Sequence, residues 1–362
     1  MKRPLLGLPR RAFSGAAAPP PALSAPFLHL APPRPRYPPS IKLFEVGPRD
    51  GLQSEVAFLP TPLKVEFINR LTACGHRHIE ATSFVSPRAI PQLGDAAAVM
   101  AGIARAPGVT YAALVPNLRG VEAALAAGVE EVAVFAAASD AFSQRNINCN
   151  VMDSLERFKP VMAAAAAHGL RVRGYVSTAL GCPYAGPVAP VAAAFVARAL
   201  LDMGVYEVSL GDTVGVGTPA SVRALLRATA DAGVPPAATA VHFHATYGCA
   251  LANILVAFEE GVRVVDASVA GLGGCPYAKG ASGNVATEDV LYLAQGLGLE
   301  VEGAPRLAEL VATGAWACEQ LGRANKSAVA VARLAHEAAA AAGDKEGCGV
   351  GLSWPERPQR AL

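Results

Sequence analysis

From about residue 42 the chain repeats one pattern: an amphipathic helical stretch, a glycine, then a short run rich in β-branched residues. The copies read Thr72-Ala-Cys-Gly75 into His78-Ile-Glu80, Leu125-Ala-Ala-Gly128 into Val132-Ala-Val-Phe135, and Ala167-His-Gly169 into Val172-Arg-Gly-Tyr-Val176. They continue as Asp202-Met-Gly204 into Tyr206-Glu-Val-Ser-Leu210, Asp231-Ala-Gly233 into Ala240-Val-His-Phe-His244, and Glu259-Glu-Gly261 into Val262-Arg-Val-Val-Asp266. Glycine just past a helix ends it in the left-handed conformation, where a Cβ is penalised. Thr218-Pro219 reads as a helix cap with proline in the first turn, and Thr287-Glu288-Asp289 opens another helix with acids at its positive end. Strands over 42–46 and 109–115 complete a set of eight alternating with helices. Alternation forces parallel pairing, and eight units over about 250 residues predict a closed (β/α)8 TIM barrel. An open doubly wound sheet would need a glycine-rich phosphate turn after the first strand, where this chain has Gly47-Pro-Arg-Asp-Gly51. Additional C-terminal helices are expected over 305–342, so that one domain spans 41–342, and the Gly-, Pro- and charge-rich tail 343–362 is expected to be disordered.

Composition narrows the function. A net charge of +2 with only 17% charged residues gives no electrostatic footprint for nucleic acid or a membrane surface. No apolar run approaches the roughly 20 residues of a membrane span. The seven cysteines lack paired spacing, which points to a reducing compartment. Residues 1–40 contain no acid but carry Lys2, Arg3, Arg10, Arg11, Arg34 and Arg36, the composition of a mitochondrial transit peptide. The prolines in that leader interrupt any amphipathic helix. The expected location is the mitochondrial matrix, with the cytoplasm as the alternative.

In such a barrel, side chains at the carboxyl ends of strands and in the following loops face the active site. That rule gathers Arg49 and Asp50 after the first strand, Glu80 ending the second and Asp212 after the sixth. His242 and His244 end the seventh strand, and Cys275 and Asn284 lie in the loop after the eighth. Residues two apart on a strand share a face, so the two imidazoles project together. With a carboxylate they make a shell for a divalent metal; the plainer alternative is two hydrogen-bonded histidines under the rim. Arg49 offers a fixed cation where oxyanion charge develops on a substrate carbonyl, or an ordinary ion pair. Glu80 and Asp212 either orient these groups or pair inside the barrel. Glycines 271, 273, 274, 280 and 283 make the segment around Cys275 a candidate flap whose thiol acts as acid or base, although a lone cysteine is usually inert. The other cysteines read as packing residues, apart from Cys348 in the tail.

At these residues the chain resembles the 3-hydroxy-3-methylglutaryl-CoA lyase family. The matching stretches are Glu45-Val-Gly-Pro-Arg-Asp-Gly-Leu-Gln53, Ile79-Glu-Ala-Thr-Ser-Phe-Val-Ser-Pro87, Arg145-Asn-Ile-Asn-Cys149 and Arg173-Gly-Tyr-Val-Ser177. Further matches are Leu180-Gly-Cys-Pro-Tyr184, Ser209-Leu-Gly-Asp-Thr-Val-Gly-Val-Gly-Thr-Pro219 and the Cys275 loop. The resemblance runs from about residue 41 to about 335. It implies a TIM barrel that cleaves the CoA thioester of 3-hydroxy-3-methylglutarate to acetoacetate and acetyl-CoA, as in leucine catabolism and ketone-body formation. It implies Mg²⁺ or Mn²⁺ on Asp50, His242, His244 and Asn284. Cys275, Arg49, Glu80, Asp212 and His242 fall in the catalytic set, Arg49 and Gln53 touch substrate, and the assembly is a homodimer. Two positions depart from the family: its His-x-His-Asp-Thr-Tyr-Gly-Gln reads here His242-Phe-His-Ala245-Thr-Tyr-Gly-Cys249. Losing that acid can remove a partner of a metal ligand, a loss of about 10–100-fold in affinity or rate. The rival readings are a related metal-dependent condensing enzyme or aldolase, and a non-catalytic barrel.

Overall fold

The computed structural model describes residues 37–274 and 283–341. The expected leader as far as residue 36, Cys275 and the expected tail from residue 343 lie outside the described residues. Eight parallel strands form a closed ring: β1 (Ser40–Glu45), β2 (His78–Ser83), β3 (Thr110–Leu114), β4 (Glu131–Ala137), β5 (Arg171–Ser177), β6 (Glu207–Asp212), β7 (Thr239–Phe243) and β8 (Val264–Ala267). Each pairs with the next, and β1 returns to β8 with Lys42 opposite Val264 and Glu45 opposite Ala267. A short strand, Glu300–Val301, adds to the outer start of β1.

Eleven helices are described: α1 (Thr61–Ala73), α2 (Ala96–Gly102), α3 (Leu118–Ala126), α4 (Asp140–Ile147), α5 (Val151–Ala167), α6 (Pro190–Asp202), α7 (Pro219–Asp231), α8 (Ala250–Glu259), α9 (Thr287–Gly296), α10 (Leu307–Leu321) and α11 (Ala328–Ala341). The chemistry that ends and starts them follows the sequence. Gly75, Gly128, Gly169, Gly204, Gly233 and Gly261 all adopt positive φ, between 67° and 107°. At the other end, Thr218 accepts from the Ser221 amide while the Ser221 hydroxyl accepts from the Thr218 amide, a reciprocal cap for α7.

The main core lies between strands and helices, where Ile79, Val132, Val176, Leu210 and Val241 meet Phe67, Leu71, Leu200 and Ile254. The barrel interior is more polar. Arg173, fully buried on β5, donates to Glu207 Oε1 at 2.7 Å and to Asp266 Oδ1 at 2.6 Å, and lies 4.3 Å over the Phe44 ring. Lys42 closes this network on Glu207 at 2.6 Å. A buried cation persists there only because every arm is paired. The network ties β1, β5, β6 and β8 together beneath the mouth where the candidate residues gather.

Candidate metal centre and active site

The turn after β1 is wider than an α turn: the Gly51 amide reaches the Val46 carbonyl, five residues back, at 3.0 Å. Such turns recur at functional sites because they redirect side chains. Glycine is required at both ends. A Cβ on Gly47 would meet Glu45 Oε1 at 2.6 Å, and one on Gly51 would meet Ser268 Oγ and Leu272 Cβ at 2.8 and 2.9 Å. Glu45 holds the turn against the segments that follow the neighbouring β8, accepting from the Gly47 and Val269 amides at 2.8 and 3.0 Å and from Thr287 Oγ1 at 2.6 Å. Arg49 and Asp50 are thereby aimed into the mouth of the barrel.

Two strands away round the ring, β7 delivers the histidine pair as its alternation predicts. Val241 and Phe243 face the core, while His242 and His244 line the central cavity with ring centroids 5.4 Å apart. One ligand atom each from Asp50, His242 and His244 lie within 4.8 Å of one another. His242 Nε2 stands 3.7 Å from Asp50 Oδ2. Asn284 reaches the same carboxylate oxygen with its amide nitrogen at 2.9 Å and also donates to the Leu272 carbonyl. A bridge between His244 and Asn284 and the bond from the Ala245 amide to the Gly283 carbonyl place that asparagine.

Two of the three groups stand in the form a cation binds, while at His242 burial is outweighed by the Asp266 and Asp50 carboxylates, which favour a proton there. Burial would raise the Asp50 carboxyl, but Arg49, His242 and the Asn284 amide outweigh it and hold it at about 2. Burial, with His242 beside it, pushes His244 down to about 4, so its ring is neutral at pH 7. Among the described residues its Nδ1 has no hydrogen-bond partner, and a buried imidazole nitrogen left so is costly unless something coordinates it. An ionised carboxylate, neutral imidazole and an amide form a donor set that a divalent metal fits.

Arg49 is clamped from two sides. Its Nε donates to Glu80 Oε2 at 2.6 Å and its Nη1 to Asp50 Oδ1 at 2.7 Å. Burial works against its charge, yet Glu80 and Asp50 together raise its pKa above the ordinary value. Tyr175 completes the clamp: its hydroxyl donates to Glu80 Oε2 at 3.0 Å and its ring lies 5.3 Å from the guanidinium carbon. Glu80 thus reaches the centre through Arg49. Asp212 instead turns its carboxylate to the amides of Gly215, Val216 and Gly217, at 2.8–3.1 Å, and braces the loop after β6. Gln53 lines the cavity beside Arg49 and Asp50.

Two residues here escape sequence reasoning. Asp266 on β8 takes His242 Nδ1 at 3.3 Å, together with Arg173 and Ser209. Tyr175 is the other. Asp266 carried a signal, an acid at the end of a hydrophobic strand, but only closure of the ring sets β8 beside β7. Ala245 lies half-buried against the core.

A family model, HMGL-like, matches residues 40–315. This chain belongs to the HMGL-like family. It is 57% identical over 298 residues, 82% of its length and 98% of the relative's, to the 3-hydroxy-3-isohexenylglutaryl-CoA/hydroxy-methylglutaryl-CoA lyase of Pseudomonas aeruginosa. It is 54% identical over 296 residues, again 82% and 98%, to the mitochondrial hydroxymethylglutaryl-CoA lyase of Gallus gallus. Among solved structures, the hydroxymethylglutaryl-CoA lyase from Pseudomonas aeruginosa superposes with a TM-score of 0.81 at 57% identity, covering 83% of this chain and 99% of that one. The eight-stranded barrel is thus a TIM barrel of this lyase family.

Proposed function

We propose that this chain is a carbon–carbon lyase that cleaves 3-hydroxy-3-methylglutaryl-CoA to acetoacetate and acetyl-CoA. The observation that carries the reading is the convergence of Asp50, His242 and His244 beside the clamped Arg49 on one cavity, in a member of this lyase family. Asp50, His242, His244 and Asn284 would hold Mg²⁺ or Mn²⁺. Such a bound ion supplies Lewis-acid polarisation of the substrate oxygens.

The remaining chemistry falls to the chain's own groups. As the C2–C3 bond breaks, negative charge grows on the thioester oxygen. Arg49, already oriented by Glu80 and Tyr175, is the cation placed to receive it without further rearrangement. A basic group of the site takes the 3-hydroxyl proton, and His242 and Asp212 act through the groups they position, the metal-binding cluster and the loop after β6. Cys275 is the proposed donor of the proton that turns C2 into the methyl group of acetyl-CoA. Gln53 is proposed to contact substrate from the same turn as Arg49.

The purified protein with Mg²⁺ and this thioester should release acetoacetate and acetyl-CoA in equal amounts. A folded, metal-loaded sample that forms neither overturns the reading. Cys275→Ala retaining full kcat would remove the thiol from the mechanism. The acid-free leader and the mitochondrial name of the Gallus gallus relative support import into the matrix. Sequencing the mature N-terminus tests this, and an intact Met1 in the cytoplasmic fraction would count against it. A homodimer is the proposed assembly. The Pseudomonas aeruginosa relative's name also includes 3-hydroxy-3-isohexenylglutaryl-CoA.

A further inference from the structure

Asparagine binds a cation through its side-chain oxygen, so the other end of the amide must be held elsewhere. For Asn284 that end is fixed twice: Nδ2 donates to Asp50 Oδ2 at 2.9 Å and to the Leu272 carbonyl at 3.1 Å. The peptide unit that supplies this carbonyl also contains the Gly273 amide. A peptide is planar, so whatever holds its N–H also aims its C=O. The Gly273 N–H donates to Glu55 Oε1 at 3.1 Å. The left-handed φ of 104° at Gly273 brings the unit close to the centre, where a Cβ would meet Asn284 Nδ2 at 2.8 Å and Gly51 Cα at 3.3 Å.

Glu55 is itself held by a group from outside the eight strand–helix units. Helix α10 ends at Gly322, whose left-handed φ of 62° lets the Arg323 amide return to the Cys318 carbonyl at 3.0 Å. The Arg323 guanidinium then pairs with the same Glu55 oxygen and donates to the Gly271 carbonyl at 3.4 Å. The two side chains are only 13% and 14% exposed, so solvent erodes this pair less than it does an ordinary surface ion pair. We propose that Arg323 and Glu55 are positioning residues for the metal centre. They fix the Leu272–Gly273 peptide, and that peptide turns the Asn284 amide so that its oxygen is the atom left for the ion. The end of α10 is thereby part of the working site and more than a cover on the barrel. The inference rests on the reading of Asp50, His242, His244 and Asn284 as metal ligands.

The test is titration of the whole chain with Mn²⁺, followed by the ion's electron paramagnetic resonance signal. Arg323→Met and Glu55→Leu should each weaken Mn²⁺ binding about tenfold, the scale of a lost outer partner of a ligand. Glu55→Gln keeps an acceptor for the Gly273 amide and should stay within about threefold of the wild-type affinity. In an Asn284→Ala background there is no amide to turn, so Arg323→Met should weaken binding no further. That non-additivity separates a role through Asn284 from general support of the fold. Wild-type affinity in Arg323→Met and Glu55→Leu, or losses that simply add to that of Asn284→Ala, would overturn the proposal even if the thermal midpoint fell. A wild-type protein that binds no Mn²⁺ would overturn instead the metal centre on which the proposal rests.

Discussion

At the residue scale the proposed centre depends on partners that fix the ionic form of two of its groups and the orientation of the third. Asp50 is held ionised by Arg49, and His244 is held neutral by burial. His242 is held in orientation by the Asp266 carboxylate behind it. A carboxylate on the far nitrogen of a metal-binding imidazole fixes its tautomer and strengthens its donor atom. Asp266→Asn should therefore weaken Mn²⁺ binding about 10–100-fold, read by titration of the ion's electron paramagnetic resonance signal; unchanged affinity would remove Asp266 from the site. The histidines were legible because a strand's period of two puts alternate side chains on one face. Asp50 was legible because it follows a strand. Asp266 and Tyr175 were not, since their roles depend on which strands the closed ring sets side by side. The same geometry bears on Ala245: the carboxylate that orients His242 comes from β8, so it does not depend on the side chain at position 245.

At the scale of elements, the site depends on joints more than on strands. Gly273 and Gly283 adopt φ of 104° and 87°, and a Cβ on Gly283 would meet the Gly273 carbonyl oxygen at 2.2 Å. Backbone cannot yield there as a side chain would. Gly283→Ala should cost about 1–3 kcal/mol, seen as a lower thermal midpoint, and should reduce kcat by displacing the adjacent Asn284; an unchanged midpoint and rate would contradict this. The turn after β8 has a second brace. Both carboxylate oxygens of Glu288, in the first turn of α9, accept from the Ala270 amide at 3.0 and 2.9 Å, where Ala270 holds a left-handed φ of 57°. Burial pushes the Glu288 carboxyl from 4.5 up to about 8, and Glu45 is pushed up to about 7 in the same way. The folded state binds these protons more tightly than the unfolded chain, so their contribution is full below pH 4.5 and is lost as pH rises through 7 to 8. Urea unfolding at pH 6 and pH 8.5 should show stability falling over that interval, with a smaller fall in Glu288→Gln. Equal falls in both proteins would exclude Glu288 as a source. The acids of α9 were visible as helix-start residues, but that one of them would reach back to an alanine amide was not, because nothing local pairs residues 270 and 288.

On the scale of the whole molecule, the barrel was the most legible feature. Six repeats of helix, glycine and strand state the alternation, and alternation with right-handed crossovers leaves few topologies. The strand boundaries fall within a few residues of the repeats, from Lys42 against Ser40 for β1 to Val262 against Val264 for β8. Less legible was the polar interior, where Arg173 joins Glu207 and Asp266 below the mouth; in sequence these are three charges scattered in hydrophobic strands. Closure of the ring brings together groups from β1, β7 and the loop after β8 that lie more than 230 residues apart, as Asp50 and Asn284 do. The account therefore stands or falls on whether those groups make a working metal centre. Protein stripped by chelator and dialysed should cleave 3-hydroxy-3-methylglutaryl-CoA at a negligible rate, and titration with Mn²⁺ should restore acetoacetate release along a saturable curve that His242→Ala and His244→Ala do not follow. Full activity in protein shown by elemental analysis to hold no divalent metal would contradict it.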